Sequence, residues 1–204
     1  MNQIAILPAG CLISSKDTLF SNEQFILYSS NLAVYILNAQ TFIVEKIIAV
    51  AEQTIASIVV SPHDNNFLIA TGCDGFLSLW MLKEEQLICR VNVQASTGFL
   101  LAWDPFSHDH CAVLMNQPTM RLLYWDVRKA VGGLSELFVM KNQNVQVVSI
   151  KWNLLTQGLL AAGCTNGTVI LFQVSTKTQK FLSGLLPHTM MALSVLFFFF
   201  NIRR

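Results

Sequence analysis

The segment FLIATGCDGFLSLW, residues 67–80, decides the fold. It contains two runs rich in β-branched and aromatic residues, 67–71 and 76–81, on either side of the turn at 72–75. Gly72 and Gly75 can supply the positive φ that a tight hairpin requires, so the segment predicts two antiparallel strands. A β-branched run at 55–60 precedes it, and an apolar run at 86–93 follows the polar break at 83–85. Residues 55–93 are therefore predicted to form a sheet of four short strands.

The same pattern recurs along the chain with a nearly constant period. Bulky rings close comparable apolar runs at Tyr35, Trp80, Trp125 and Phe172, with spacings of 45, 45 and 47 residues. A four-stranded propeller blade repeats every ~40–45 residues, so the period favours a series of such blades. Tyr35 is interpreted as a weaker copy of the other three positions.

A second series of rings ends the first run of successive units. Its members are Trp103, Trp152 and Phe197, with spacings of 49 and 45 residues. Together the two series predict an N-terminal partial blade at 1–54 and blades at 55–93, 98–140 and 145–182. Residues 183–204 are predicted to begin a further blade or to form a hydrophobic tail. The predicted fold class is all-β, a partial β-propeller of about three to four four-stranded blades that is not closed, since closed propellers usually have four to eight.

These residues resemble the WD-repeat family. The resemblance is carried by residues 67–80, by Tyr124-Trp125-Asp126, which contains the signature dipeptide, and by residues 159–172. The period and the resemblance together mark nine structural blade positions: Thr71, Asp74, Trp80, Trp103, Trp125, Asp126, Trp152, Asn166 and Phe172.

The resemblance also implies how a blade is held together. Strong repeats of this family contain a buried Asp-His-Ser/Thr-Trp hydrogen-bond network, and Asp74, Thr71 and Trp80 supply three of its members. No Gly-His pair precedes Ile55, and the unit at 145–182 has Phe172 in place of tryptophan. We therefore expect these blades to depend more on packing than on a complete polar network.

The function implied by the resemblance is that of a non-catalytic protein–protein interaction scaffold. Residues 94–97 and 141–144 are candidate contact loops, because they are short polar links between blades. No binding partner can be named from the sequence. A truncated propeller also leaves open blade edges, which favour self-association.

Composition narrows the possible partners and compartments. Hydrophobic residues make up 53% and charged residues 12%, against about 25% charged in a typical domain. The formal net charge is +1 without a basic block, which argues against a nucleic-acid partner. Five cysteines without a C-x-x-C pair favour a reducing compartment, and we expect a cytoplasmic protein.

The C-terminal residues permit a second hypothesis. Residues 181–200 form a mostly apolar stretch of 20 residues followed, after Asn201 and Ile202, by two arginines. This length can span a bilayer as a helix, so a membrane-associated fragment is the alternative function. Gly184, Pro187 and His188 interrupt the stretch, and we favour the start of another blade.

The sequence contains one polar cluster with residue types that bind zinc. Asp104, His108, His110 and Cys111 are suitable ligands, but all lie in one short segment rather than in two separated pairs. We interpret this segment as the turn between the first two strands of a blade. Neither a G-x-S-x-G motif nor a glycine-rich phosphate loop is present. We predict no catalytic residue, no cofactor and no metal site.

Overall fold

The computed structural model describes residues 17–93, 99–116, 119–140 and 146–174, and it describes residues 183–186 through their backbone. The described chain is all-β and forms four antiparallel sheets of four strands each, which confirms the predicted propeller-type fold class. In every sheet the strands follow one another in chain order, as in a propeller blade.

The four sheets are named blades 1 to 4 in chain order. Blade 1 consists of β1 (Leu19–Ser21), β2 (Phe25–Ser30), β3 (Ala33–Asn38) and β4 (Val44–Ala49). Blade 2 consists of β5 (Ile55–Val60), β6 (Phe67–Gly72), β7 (Phe76–Met81) and β8 (Gln86–Asn92). Blade 3 consists of β9 (Phe99–Trp103), β10 (His110–Met115), β11 (Met120–Asp126) and β12 (Leu134–Met140), with a 3-10 helix, Val127–Gly133, before β12. Blade 4 consists of β13 (Val147–Trp152), β14 (Leu159–Cys164), β15 (Val169–Gln173) and β16 (Ser183–Leu186).

Burial differs between the first strands of blades 2 and 3 and the fourth strands of blades 1 and 2. The first strands β5 and β9 are almost completely buried and read as continuous apolar runs. The fourth strands β4 and β8 lie at a sheet edge and expose much of their length, including Ile47 and Ile88. Continuous apolar runs are typical of strands covered on both faces, whereas partly exposed strands carry polar residues at intervals.

The closing rings occupy equivalent positions, as the period predicts. Trp80, Trp125 and Phe172 are each the next-to-last residue of the third strand. Each lies opposite the second residue of the second strand in its blade, namely Leu68, Cys111 and Leu160 respectively.

The proposed fourth copy, Tyr35, is wrong. In blade 1 the next-to-last residue of β3 is Leu37, which lies opposite Ile26, the second residue of β2, and is fully buried. Tyr35 instead lies opposite Tyr28, and the two rings stack with centroids 5.1 Å apart. An aliphatic side chain therefore fills the position that a ring fills in the other blades.

The turn after each first strand is held by its first residue. Asn22, Ser61, Asp104 and Asn153 stand at this position, and the side chain of each accepts hydrogen bonds from backbone N–H groups two or three residues later. This local bonding is characteristic of Asx- and ST-turns. It confirms that residues 104–111 begin with a turn between strands.

The chain divides at Phe99 and Leu100 into two compact units, each with its own core. In the first unit the core joins side chains of blades 1 and 2, among them Leu27, Ile36 and Leu68, and Trp80 packs against it. In the second unit the core joins blades 3 and 4 through residues such as Tyr124, Trp152 and Phe172. The Trp152 indole N–H donates to the carbonyl oxygen of Ala102, 2.9 Å away, and so connects β13 to β9.

The structure differs from two predictions about the first and last parts of the blade series. Residues 1–54 were expected to hold a partial blade, but blade 1 has all four strands. Ser183–Leu186 pairs with β15 as the fourth strand of blade 4, where the sequence predicted the start of a further blade or a tail. The long polar stretch at 175–180 conceals this strand in the sequence. Phe197 and the rest of the tail, 187–204, lie outside the described residues. The described part of the chain contains no helix with the length and hydropathy needed to cross a membrane.

Candidate binding grooves between paired blades

Each unit has a groove between its two blades, at the end where the first strand turns into the second and the third into the fourth. Groove 1, in the first unit, has a volume of about 580 Å³. Its lining residues are Gln24, Phe25, Ile36, Asn38, Glu45, Lys46, His63, Asp64, Asn65, Asn66, Leu82 and Lys83. Groove 2, in the second unit, has a volume of about 240 Å³. Its lining residues are His110, Tyr124, Asp126, Lys129, Gly132, Gly133, Leu134, Ser135, Leu137 and Val174.

The two grooves are formed by equivalent strand positions. Phe25 and His110 each begin the second strand of the earlier blade in the pair, and Asn38 and Asp126 each end its third strand. The later blade contributes the residue after its third strand, which is Leu82 in groove 1 and Val174 in groove 2. The N–H of each donates to the carbonyl oxygen of the residue before the second strand of the same blade. The repeat therefore generates the same type of groove twice.

Groove 1 combines an apolar floor with hydrogen-bonded polar walls. Asn38 accepts hydrogen bonds from the N–H groups of Gln40 and Thr41, and its amide donates to Glu45 at 2.9 Å. Asn66 accepts from the N–H of Lys83 at 2.7 Å, and its amide donates to Glu84 at 3.0 Å. These side chains are fixed by the turns that carry them.

Lys46 links the two blades across groove 1. Its ammonium group donates to the carbonyl oxygen of Lys83 at 2.7 Å and lies 3.1 Å from the carboxylate of Glu85. The charge of Lys46 is therefore committed to the neighbouring blade.

Two lining residues of groove 2, His110 and Tyr124, belong to a connected set of polar and aromatic side chains. The buried carboxylate of Asp104, the residue after β9, accepts a 2.7 Å hydrogen bond from the hydroxyl of Tyr124. Tyr124 lies on β11, two strands away from β9 in the sheet. The His110 ring stacks on Tyr124 with centroids 4.8 Å apart, and its Nδ1 lies 2.7 Å from Ser107 Oγ. Burial and the Asp104 hydrogen bond raise the pKa of Tyr124 above its ordinary value.

The order Ser107, His110, Asp126 resembles a nucleophile–base–acid series, but the geometry does not form a relay. His110 Nε2 lies 4.0 Å from Asp126 Oδ2, beyond hydrogen-bond distance. Asp126 instead binds Lys129 at 3.1 Å and Arg128 at 3.5 Å. Within the described ranges, no three His, Cys, Asp or Glu side chains are grouped so that they can hold a metal ion. Of the four residues with zinc-binding side chains, Asp104 binds Tyr124, and Cys111 is fully buried with its thiol pKa raised by burial.

Thr71, Asp74 and Trp80, the three network members that the resemblance implies, do not bond to one another. The Thr71 hydroxyl donates to the carbonyl oxygen of Ser57 at 3.3 Å, and Asp74 binds Arg90 at 2.8 Å. The Trp80 indole nitrogen is buried and has no hydrogen-bond partner among the described residues. Asn166 caps its own turn by accepting from Thr168. Trp103, the remaining marked position, donates its indole N–H to the carbonyl oxygen of His108 at 3.2 Å.

Arg90 connects the hairpin turn at Asp74 to the fourth strand of blade 2. Its guanidinium group binds the carboxylates of Asp74 and Glu52 and lies 4.0 Å above the centre of the Phe76 ring. The Asp74 side chain is only 9% exposed, so its contact with Arg90 compensates for the water that the carboxylate has lost.

Replacing Arg90 by glutamine should therefore destabilise the protein by about 1–2 kcal/mol, because it leaves a mostly buried carboxylate without its cation. The matched control is Arg121→Gln, which removes an ion pair with Glu136, a carboxylate that is far more exposed than Asp74. That loss should stay below about 1 kcal/mol. Urea unfolding of the two variants provides the comparison, and equal losses would contradict the role assigned to Arg90.

The grooves were not predicted from the sequence. The candidate contact loops, 94–97 and 141–144, lie outside the described residues, whereas the grooves are formed from turns about 20 to 60 residues apart. No protein-family model matches the chain. The four four-stranded blades are each consistent with a WD40-type fold.

Proposed function

We propose that this protein is a non-catalytic protein–protein interaction scaffold built from WD-type blades, and that the grooves between paired blades are its binding surfaces. The observation that carries the proposal is the recurrence of one groove type at equivalent strand positions in both units. In groove 1, side chains held by turns surround an apolar floor. Binding sites commonly combine apolar contact area with a few fixed polar groups in this way.

We also propose a more specific similarity, between this chain and the N-terminal blades of WD repeat-containing protein 17. It rests on residues 9–11, 25–37 and 55–80 of this chain. Blade 1 contains the second of these stretches, and blade 2 contains the third. A scaffold role fits this similarity, because β-propeller folds commonly serve protein interaction.

Selection of peptide ligands on the purified full chain tests the scaffold function. The probe is a phage-displayed library of random twelve-residue peptides. Two variants block the grooves: Asn65→Trp fills groove 1 at an exposed residue, and Gly132→Trp fills groove 2 at a position where an added side chain meets open space. Leu154→Trp, at a site 55% exposed outside both grooves, is the control.

We expect enriched peptides to bind at least about tenfold more weakly to one groove-blocking variant, a loss of about 1.4 kcal/mol, and equally to Leu154→Trp. Two results would refute the proposed function. One is a library that yields no peptide above the background of an unrelated β-sheet protein. The other is a set of peptides whose binding is unaffected by both groove-blocking variants.

A further inference from the structure

Groove 1 differs from groove 2 in size and charge. Its floor consists of Phe25, Ile36 and Leu82, of which the latter two are buried. Gln24 and Asn65 line the groove and are exposed. A carboxamide presents both a donor and an acceptor, so it can pair with either polar group of a peptide backbone.

The charge around groove 1 is negative although the whole chain is formally +1. Carboxylates outnumber ammonium groups: Glu45 and Asp64 line the groove, Glu84 and Glu85 lie at its edge, and Lys46 and Lys83 oppose them. The Asn66 hydrogen bond lowers the pKa of Glu84, a carboxylate that is already charged at neutral pH without this bond.

These features match one kind of ligand. Lysine and arginine have long aliphatic stems that pack on apolar surface while their charged ends remain at the rim. The stem of such a residue suits the floor at Phe25, Ile36 and Leu82, and its cation suits the surrounding carboxylates. An extended backbone leaves N–H and C=O groups available for the amides of Gln24 and Asn65.

We propose that groove 1 is a docking site for an extended segment of a partner protein that contains lysine or arginine. This inference rests on the proposed scaffold function and specifies the partner of one of its two grooves. The complementary charges should determine which segments bind and increase the rate of association.

Two fluorescein-labelled peptide pools test the inference on the full chain. One pool has the form Ala-X-X-Lys-X-Arg-X-X-Ala, where X is any residue except lysine, arginine, aspartate or glutamate. The other has glutamate in place of both basic residues. Fluorescence anisotropy should show about tenfold tighter binding of the basic pool, and this preference should fall as the NaCl concentration rises from 50 to 500 mM.

A charge-neutralising variant locates the preference. Glu45→Gln combined with Asp64→Asn retains side-chain shape and oxygen acceptors, so the bonds to Asn38 and to the N–H of Asn66 can persist. This double variant should bind the basic pool about three- to tenfold more weakly, a change typical of lost charge complementarity. Glu136→Gln removes a surface carboxylate from blade 3 and should leave binding unchanged.

The outcomes separate the two proposals. If both pools bind equally and Asn65→Trp abolishes binding, groove 1 is a peptide site without a basic preference, so the inference fails and the scaffold function stands. If neither pool binds while library peptides are lost only with Gly132→Trp, the inference fails and groove 2 is the binding surface. Absence of any enriched library peptide overturns both.

Discussion

Replacing Trp125 by alanine is expected to lower the free energy of unfolding by about 3–5 kcal/mol, the range for truncation of a buried aromatic side chain. Trp125 is fully buried in the third strand of blade 3. Its indole N–H also donates to the carbonyl oxygen of Ala130 at 2.9 Å. The variant therefore loses both packing and one of the bonds that hold the 3-10 helix to the blade.

The backbone near Ala130 shows why this bond matters. Ala130 has φ 45° and ψ −119°, a conformation that is costly for a residue with a side chain and that persists only when surrounding contacts enforce it. A side chain at Gly133 would collide with the carbonyl oxygen of Asp126, so the segment lies tightly against the end of β11. The indole bond and this close approach together fix the segment that borders groove 2.

Two phenylalanine variants separate packing from hydrogen bonding. Trp125→Phe removes the indole bond and leaves the Ala130 carbonyl without it, so we expect a loss of about 1–3 kcal/mol. Trp80→Phe occupies the equivalent position in blade 2, where the buried indole nitrogen has no partner among the described residues. Removing an unsatisfied donor offsets much of the lost packing, so this control should lose clearly less, on the order of 1 kcal/mol or below. Urea unfolding monitored by circular dichroism gives the free energy of unfolding of Trp125→Ala, Trp125→Phe and Trp80→Phe. Equal losses for the two phenylalanine variants would contradict a role for the indole bond of Trp125.

The period made the blades and their closing positions predictable. Trp80, Trp125 and Phe172 could be found because a large ring stands at a fixed step in an apolar run. Leu37 could not, because leucine is common at other strand positions and Tyr35 nearby offered a stronger but misleading signal. The distance from the polar residue of the hairpin turn would have identified Leu37. Asn31 precedes Leu37 by six residues, just as Asp74 precedes Trp80.

The side-chain partners were less predictable than the strands. Thr71, Asp74 and Trp80 have the residue types of a family network, yet Asp74 binds Arg90, which is 16 residues away and belongs to no motif. The groove walls depend in the same way on which turns meet. Glu45 and Asn66 line groove 1 from different blades, and only the packing of blade 1 on blade 2 brings them to one cavity.

The second large effect is expected at Asp104. Its buried carboxylate accepts from the Tyr124 hydroxyl at 2.7 Å and from the N–H of Phe106 at 2.8 Å. Asp104→Ala removes these bonds and leaves a largely buried hydroxyl without its acceptor, so we expect a loss of about 2–3 kcal/mol. Asp109→Ala, in the same turn, removes a partly exposed ion pair with Arg128 and should cost less than about 1 kcal/mol.

A double-mutant cycle with Tyr124→Phe isolates the bond itself. Because the two side chains are in direct contact, the losses of Asp104→Ala and Tyr124→Phe should not add, with a coupling on the order of 1 kcal/mol. Additive losses would show that each residue acts through other contacts. Urea unfolding at pH 7 gives all four corners of the cycle.

The same bond predicts how stability changes at alkaline pH. Burial and the Asp104 hydrogen bond raise the pKa of Tyr124 in the folded protein, whereas an unfolded tyrosine has a pKa of about 10. The contribution of this group is therefore fully present below about pH 10 and is lost as pH rises above it, because the unfolded chain ionises first. Unfolding free energies measured between pH 8 and 11 should fall more steeply for the wild-type protein than for Tyr124→Phe. Parallel curves for the two proteins would mean that Tyr124 ionises as readily in the folded chain as in the unfolded one, and the buried bond to Asp104 would then have no part in holding blade 3 together.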